Sequence, residues 1–577
     1  MKKLIAVLAA ATVAAGLLAT GPVAAQTTAP IDCPEIMPTD QVTDGMTGVG
    51  WTVAEGRTPE QFQVEVLGVM RDAYPGRDLI VVRASGDVIS RHGGVWFGTS
   101  GSPVYVDDKL IGAISFGLTY GASDVVGLTP AEEMAAVMNQ PTVEAARMPT
   151  SIAIPRSFQR SMGTEGASFE RLKTPVTISG LGARGLARTQ RIAEREGLPI
   201  LPVSGSVAGT AATEATGTLH AGDNMAAAFS YGDVTYAGVG TTTMVCEGRA
   251  MSFGHPFMWE GDTTIGANAA DAIAVIEDPF YPYKLATIEE GVGTIDQDRF
   301  AGLRTILGTM PTSIPITSTV TALTTGRTRD GRTDVLENEI VPWIAWSHVY
   351  GNVLFTLDEY GPGHASASWT IAGTTSTGTP WELSRSNVYS SEWSIAENTG
   401  EELSRLLWTL YSNDLEEVEF TSVDYDATVD EEEEYYKMTK LLVSTRGSDY
   451  RQRRRVRVRP GQTLRLRAVL QPYEEEGEVV VDLSLVMPRR LRNSAIVEVG
   501  SGPRYGGDVC LYRPRRCEIA GQKIETFDQL LQLLEGLPTN NEVLARMRAG
   551  ERSKILTEDS ELLDRVVFGQ KRLRVYF

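Results

Sequence analysis

The sequence predicts a mainly β protein that folds into several domains. Runs such as QFQVEVLGVM and RDLIVVRAS are rich in β-branched residues, and TLRLRAVLQP alternates apolar and polar residues in the way strands do. Helical patterns are few and short. The chain has 577 residues, and a single hydrophobic core stops growing at roughly 250–300 residues, so we expect three or four domains.

The charge balance excludes one class of partner. The chain carries 53 Lys and Arg residues against 73 Asp and Glu residues, which gives a net charge of −20. Because such a surface repels phosphates, we do not expect the protein to bind nucleic acid.

The N-terminal residues have the pattern of a secretory signal peptide. Two lysines precede an apolar run over residues 4–19, and small residues follow at 23–25. We predict cleavage after residue 25; the alternative is an uncleaved anchor helix. No later apolar run approaches the roughly 20 residues that span a bilayer. We therefore expect an exported mature protein without a membrane span, in the periplasm or outside the cell.

The four cysteines predict disulfides rather than a metal site. None of them has metal-ligand spacing, and an even number in an exported chain favours pairing. We predict a bond between Cys510 and Cys517, which flank LYRPRR, and this leaves Cys33 to pair with Cys246. The alternative is that some remain free thiols. We expect neither a metal nor a cofactor.

A glycine-rich turn, GTSGSP at residues 98–103, holds the first candidate for chemistry. Glycines on both sides of Ser100 allow the backbone to approach a ligand closely. If Ser100 is a nucleophile, the amides of Gly98 and Ser100 can stabilise the oxyanion, as they do in the GDSGGP turn of chymotrypsin-like enzymes. The alternative is a structural turn.

A serine nucleophile needs a base, which is usually a histidine. The chain has five histidines, at positions 92, 220, 255, 348 and 364. His255 is the best candidate because Gly254 and Pro256 flank it where the chain leaves a strand, a position that can face a cleft. The alternative is a hydrogen-bonded core histidine.

The stretch GGVWFGTSGSPVY resembles the SpoIVB peptidases, a family of exported serine peptidases. The resemblance extends from FQVEVLGV through KLIGAISFG to VVGLTPAEEM, and FGHPF and LATIEEGVGTIDQDRFAG resemble the histidine-bearing part of the family. It implies a chymotrypsin-like double β-barrel in which Ser100 is the nucleophile and His255 the general base. It also implies a protein or peptide substrate, which can include the chain itself.

The chain departs from this family in two ways. Ser100 precedes His255 by 155 positions, whereas the histidine comes first in the family; a circular permutation would account for the change. The family's acidic position falls on Ser85. Since positions i and i+2 share a face of a strand, Asp87 can take the acid's role, and Asp233 is a weaker candidate.

The patterns together predict seven segments. They are a signal peptide (1–25), the serine half of the peptidase domain (26–145), a βαβ-like insert and linker (146–215), the histidine half (216–328), a β-rich accessory region with one helix (329–428), a β-sandwich-like domain (429–500) and a small α+β segment (501–577).

Two functions fit these residues. The first is an exported serine endopeptidase that hydrolyses peptide bonds through an acyl-enzyme. The second is a catalytically silent relative that keeps the fold as a binding scaffold in the cell envelope. The absence of an acid at position 85 favours the second, and the two matched motifs favour the first. The sequence does not predict an oligomeric state.

Overall fold

The structure is a computed structural model that describes most of the chain. It covers residues 29–74, 76–118, 123–139, 151–155, 159, 168–196, 198, 200–207, 215–278, 282–445, 449–487, 494–501, 518–519, 522–549, 552–555 and 562–576. The predicted signal peptide, Cys510 and Cys517 lie outside the described residues. As predicted, the protein is mainly β, with 53% of its residues in strands and 17% in helices.

Six antiparallel strands close into a first barrel. They are β1 (Thr47–Thr52), β2 (Glu60–Tyr74), β3 (Arg77–Ser85), β4 (Pro103–Val106), β5 (Lys109–Leu118) and β6 (Val125–Pro130). Their order around the barrel is β1-β2-β3-β6-β5-β4, and β4 pairs back with β1. In β2 the side chains of Phe62, Val64 and Val66 are buried at alternate positions, which is the period that a barrel wall requires.

A second barrel repeats this order later in the chain. Its strands are β12 (Asn224–Gly232), β13 (Tyr236–Cys246), β14 (Arg249–Ser252), β15 (Gly261–Ile276), β16 (Tyr283–Arg299) and β17 (Gly302–Leu307). They run in the order β12-β13-β14-β17-β16-β15, and β15 pairs back with β12. The predicted double β-barrel is therefore present, and its two halves share one strand order.

A smaller group of elements joins the two barrels. It comprises β7 (Ser151–Ala153), β8 (Ser168–Arg171), β9 (Thr174–Ile178), the helix Gly182–Glu196, β10 (Ile200–Ser204) and β11 (Ser206–Val207). Strand β8 pairs with β5 of the first barrel, and β9 pairs with β13 of the second. The chain thus passes from one barrel to the other between β8 and β9.

An accessory layer extends the sheet of the second barrel. Its strands are β18 (Ile314–Ala322), β19 (Thr328–Val335), β20 (Gly363–Thr375), β21 (Pro380–Ser391) and β22 (Val418–Asp430), with helices at Val341–Leu357, Ile395–Thr399 and Glu401–Tyr411. Strand β19 pairs with β12, so this layer shares a core with the second barrel. Sequence reading missed the helix Val341–Leu357 because it is apolar on nearly every face and shows no amphipathic period.

The C-terminal strands form two sheets around one core, and strands from both the predicted β-sandwich-like domain (429–500) and the predicted α+β segment (501–577) contribute to it. The first sheet contains β23 (Tyr435–Ser444), β24 (Arg451–Gln452), β26 (Thr463–Pro472), β27 (Val479–Val486) and β33 (Val566–Phe568). The second contains β25 (Arg455–Arg457), β28 (Ser494–Ser501), β31 (Val543–Ala549), β32 (Arg552–Ile555) and β34 (Gln570–Tyr576). Both sheets contribute buried side chains to the same cluster.

The last two strands of the chain do not form a hairpin with each other. Strand β33 pairs with β23 and β34 pairs with β28, in different sheets. Gly569 between them has a φ of +90°, which lets the chain cross from one sheet to the other. The remaining short elements are the helices Asp87–Arg91, Ala131–Asn139 and Phe527–Glu535, the 3₁₀ turns Thr39–Gln41 and Asn338–Ile340, and the strand pair β29 (Glu518–Ile519) and β30 (Gln522–Lys523).

A disulfide joins Cys33 to Cys246, as predicted, and spans 213 positions of the chain. It ties the segment before β1 to the end of β13 in the second barrel. In the part of the chain that the structure describes, no helix has the length and apolar character that crossing a membrane demands.

Replacing both Cys33 and Cys246 by serine will lower the free energy of unfolding by about 2–5 kcal/mol, because the bond restricts a long loop of the unfolded chain. Urea denaturation of the oxidised wild type and of the double variant measures this difference. Equal unfolding midpoints and slopes would contradict the expectation.

Candidate active site

Ser100 and His255 lie on equivalent connections of the two barrels. Ser100 lies between β3 and β4, and His255 lies between β14 and β15. Each is therefore on the link between the third and fourth strand of its own barrel. The repeated strand order gives the two residues matching positions although they are far apart in sequence.

Hydrogen bonds between the barrels bring these two links together. The amide of Thr241 in β13 donates to the carbonyl of Ser100 (2.8 Å), and the carbonyl of Thr241 accepts from the amide of Phe253 (3.1 Å). On the other side, the hydroxyl of Thr129 in β6 donates to the carbonyl of Gly254 (2.6 Å). The structure thus places the loops of Ser100 and His255 beside each other, on either side of one residue of β13.

The contact at the serine turn leaves no space for a side chain at Gly101. A Cβ atom added to this glycine would lie 1.9 Å from the carbonyl oxygen of Thr241. Its φ is +93°, which is also costly for any other residue. The glycine after Ser100 is therefore required by close approach of the two barrels.

All six carbonyls of residues 97–102 accept hydrogen bonds. The second barrel supplies five of the donors: the amide of Lys284 bonds the carbonyl of Phe97, Lys284 Nζ (2.9 Å) and Thr241 Oγ1 (3.1 Å) bond that of Gly98, the amide of Thr241 bonds that of Ser100, and Thr243 Oγ1 (2.7 Å) bonds that of Gly101. The first barrel supplies the other two: the amide of Ser102 bonds the carbonyl of Thr99, and the amide of Ile114 bonds that of Ser102. In a trans peptide the N–H points opposite to the C=O, so these bonds also fix the directions of the amides.

Two amides of this turn donate no hydrogen bond to any acceptor in the described ranges. They are those of Gly98 and Ser100, whereas Phe97, Thr99 and Gly101 donate to backbone carbonyls. Buried amides are almost always paired, so two unpaired ones on a fixed turn are characteristic of an oxyanion site. They are the two amides that the sequence makes candidates for an oxyanion site, and that role stays a prediction.

The side chains of Ser100 and His255 are buried, with 0% and 1% of their surface exposed. Neither the Oγ atom of Ser100 nor the Nε2 atom of His255 has a hydrogen-bond partner among the described residues, so the two are not bonded to each other. The Nδ1 atom of His255 lies 2.7 Å from the carbonyl oxygen of Pro256. Burial, together with the positive charge of Arg171, lowers the pKa of His255 to about 3.

The backbone before His255 is in an unusual conformation. Phe253 has a φ of +69° and Gly254 a φ of +65°. A positive φ is rare for a bulky residue and costs of the order of 1–3 kcal/mol. The packing around this turn therefore holds the chain before His255 in place, although the backbone of Phe253 alone would favour a negative φ.

Asp298 is a candidate that sequence reading missed. It lies near the end of β16, and its carboxylate accepts hydrogen bonds from the amides of Phe257 (2.8 Å), Met258 (2.6 Å) and Trp259 (2.5 Å). Burial raises the pKa of Asp298 to about 6, although the three amides oppose the shift. The only sequence signal was its place in GVGTIDQDRFAG, where nothing distinguishes it from its acidic neighbour.

The structure does not bring Asp87 to His255. Strand β3 ends at Ser85, and Gly86, with a φ of +113°, turns the chain into the short helix that begins at Asp87. The side chain of Asp87 is 92% exposed and lies 3.6 Å from Arg91. The expectation that a strand continues through Asp87 is therefore wrong, and the carboxylate faces solvent while the imidazole is buried.

The weaker candidate, Asp233, contacts the accessory layer. Its carboxylate accepts from Arg329 (3.2 Å) and from the side-chain amide of Asn352 (3.1 Å). His348, by contrast with His255, has both ring nitrogens bonded, to Thr333 (2.8 Å) and Ser318 (2.9 Å). It is a core histidine.

In the described ranges no three His, Cys, Asp or Glu side chains are grouped so as to hold a metal ion.

Comparison with known families supports the resemblance over one part of the chain. Residues 16–128 match the family model of the SpoIVB peptidase S55. The match includes Ser100, covers nearly all of the first barrel and ends before His255. No curated protein and no solved structure matches the chain.

We expect the burial of His255 to make stability depend on pH. Its pKa in the folded protein, about 3, is below the ordinary value of 6.5, so the unfolded chain binds a proton more readily. This contribution to stability is complete above pH 6.5 and is lost as the pH falls toward 3. Urea denaturation at pH 7.5 and pH 5 will show a smaller difference for His255→Gln than for the wild type.

Ser102→Ala is the matched control for this measurement, because it changes a buried side chain in the same junction without removing an ionisable group. It should keep the wild-type dependence on pH. A His255→Gln protein with an undiminished dependence would contradict the assignment of a neutral buried imidazole.

Proposed function

We propose that the protein is an exported serine endopeptidase in which Ser100 attacks the substrate carbonyl and forms an acyl-enzyme. The observation that carries the proposal is the serine turn, in which the carbonyls of residues 97–102 are all bonded and the amides of Gly98 and Ser100 have no acceptor among the residues that the structure describes. Such a pair stabilises the negative charge that develops on the carbonyl oxygen. The match of residues 16–128 to a peptidase family supports the same function.

His255 is proposed as the general base that takes the proton of Ser100 and returns it to the leaving amine. A carbonyl oxygen only accepts, so the short contact with Pro256 requires the proton of the neutral ring to be on Nδ1. This leaves the lone pair on Nε2, the unbonded nitrogen, which is the tautomer that a general base needs. A backbone carbonyl thus does part of what a carboxylate does in a triad.

Asp298 is proposed as the residue that positions this carbonyl. Its carboxylate holds the three amides that directly follow Pro256 and so fixes the turn that carries His255. It does not bond to the imidazole and therefore acts through the backbone.

Substrate entry requires a movement beside the site, since Ser100 and His255 are both buried. The link between β8 and β9 lies beside β5, where the amide of Leu172 donates to the carbonyl of Ser115 (3.1 Å). Arg171, the last residue of β8, is near enough to His255 for its charge to act on the imidazole. A Cβ atom added to Gly98 would lie 3.5 Å from the ring of Pro175. We propose that a peptide displaces this link when it binds.

A silent binding scaffold is the second candidate, and one observation favours it. No carboxylate in the described part of the chain is hydrogen-bonded to the imidazole of His255. The low pKa of His255 also makes it a weak base while it is buried. Export is part of both proposals, and the disulfide between Cys33 and Cys246 supports it because such bonds persist in oxidising compartments.

A fluorophosphonate probe distinguishes the two functions. We expect the wild type to be labelled at Ser100, and labelling to fall about 10⁴-fold or more in Ser100→Ala and His255→Ala because the two act as a unit. Ser102→Ala is the matched control: its hydroxyl is equally buried and lies in the same turn, yet it should label at nearly the wild-type rate. Peptide mapping by mass spectrometry identifies the modified residue.

An unlabelled wild type, or labelling that persists in Ser100→Ala, would favour the scaffold.

Asp298→Asn tests the positioning role. The amide group has only one acceptor oxygen and places N–H donors against amide N–H groups, so we expect a loss of stability of about 1–3 kcal/mol and slower labelling of Ser100. Denaturation and labelling rates are compared at equal folded concentration. Asp87→Asn is the matched control; because its carboxylate is exposed, it should change neither quantity.

A further inference from the structure

We infer that Lys284 is a positioning residue that holds the oxyanion site in its active conformation. The inference rests on the proposed function of Ser100. Lys284 lies at the start of β16, in the second barrel, and belongs to no motif that the sequence predicted.

Lys284 holds two successive carbonyls of the serine turn. Its backbone amide donates to the carbonyl of Phe97 (2.9 Å), and its Nζ atom donates to the carbonyl of Gly98 (2.9 Å). The peptide between Phe97 and Gly98 contains the first oxyanion amide, and the peptide that follows leads to the second. The backbone amide of Lys284 thus fixes the plane of the peptide that carries the Gly98 N–H, and its side chain fixes the next plane, which joins Gly98 to Thr99 and restrains the path of the chain toward Ser100.

The glycine is shaped to this contact. A Cβ atom at Gly98 would lie 2.8 Å from the Cβ atom of Lys284, and the φ of Gly98 is +102°. The lysine side chain therefore packs directly against the backbone of the turn at Gly98. Its second acceptor is the side-chain oxygen of Asn224 in β12 (2.6 Å).

Stability does not explain a lysine at this position. Lys284 is 0% exposed, and both acceptors recorded for its Nζ atom are uncharged. Burial lowers the pKa of Lys284 to about 7, which reflects the cost of removing the ammonium from water with no carboxylate partner among the described residues. An apolar side chain of similar length avoids this cost. A lysine that costs stability and holds the oxyanion turn is better explained by its action on that turn.

Thr241 provides an independent way to weaken the same carbonyl. Its hydroxyl is the other donor to Gly98 (3.1 Å). Thr241→Val removes this hydrogen bond at nearly constant volume and leaves the backbone bonds of β13 in place. Effects of Lys284→Met and Thr241→Val should be non-additive, because both act on one oxygen atom.

The experiment measures fluorophosphonate labelling of Ser100 in the full chain as a maximal rate and a half-saturating concentration. Loss of one oxyanion donor costs about 10²–10³-fold in other enzymes, so for loss of a support to such a donor we expect Lys284→Met to lower the maximal rate about 10–100-fold. The half-saturating concentration should not rise, and the thermal midpoint should shift little, because relief from burying an ammonium opposes the loss of the hydrogen bond to Asn224. A merely structural role would instead lower the midpoint and leave the maximal rate of the folded protein unchanged.

Thr241→Val keeps the inference falsifiable if Lys284→Met does not fold, and we expect it to lower the maximal rate by a smaller factor. If Lys284→Met and Thr241→Val, or whichever of them folds, are labelled at the wild-type rate, the inference is overturned while the proposed function stands. If the wild type is not labelled, both are overturned.

Discussion

The hydrogen bonds that Thr241 makes across the barrel interface are the constraint on which the site depends. Through one peptide unit on each side, this residue of β13 bonds the backbone that carries Ser100 and the backbone that precedes His255. Neither loop could move alone without leaving a buried polar group unpaired, which costs about 1–3 kcal/mol. This constraint explains the glycine at position 101, since only a residue without a side chain permits Thr241 to approach the serine turn so closely.

Sequence reasoning identified what local patterns encode. Alternating runs predicted the strands, the glycine-rich turn predicted the position of Ser100 and its two amides, and the flanking Gly254 and Pro256 indicated a sharp exit from a strand at His255. Each of these depends on backbone preferences within a few residues.

The features that sequence reasoning missed depend on long-range contacts. Asp298 and Lys284 have no local pattern; their roles come from elements that lie 40 and 186 positions away, at Met258 and Gly98. Asp87 was assigned on the assumption that β3 continues through it. Gly86, with its positive φ, ends this strand at Ser85, two residues before Asp87. The helix Val341–Leu357 was missed because it is largely buried and apolar on nearly every face, so no polar face marks its period.

The two barrels have the same strand order, and each carries one residue of the proposed catalytic pair on the same connection. The contact between the barrels therefore does not depend on which barrel comes first along the chain. Any chain order that keeps the contact face between the barrels therefore keeps the connections that carry Ser100 and His255 beside each other.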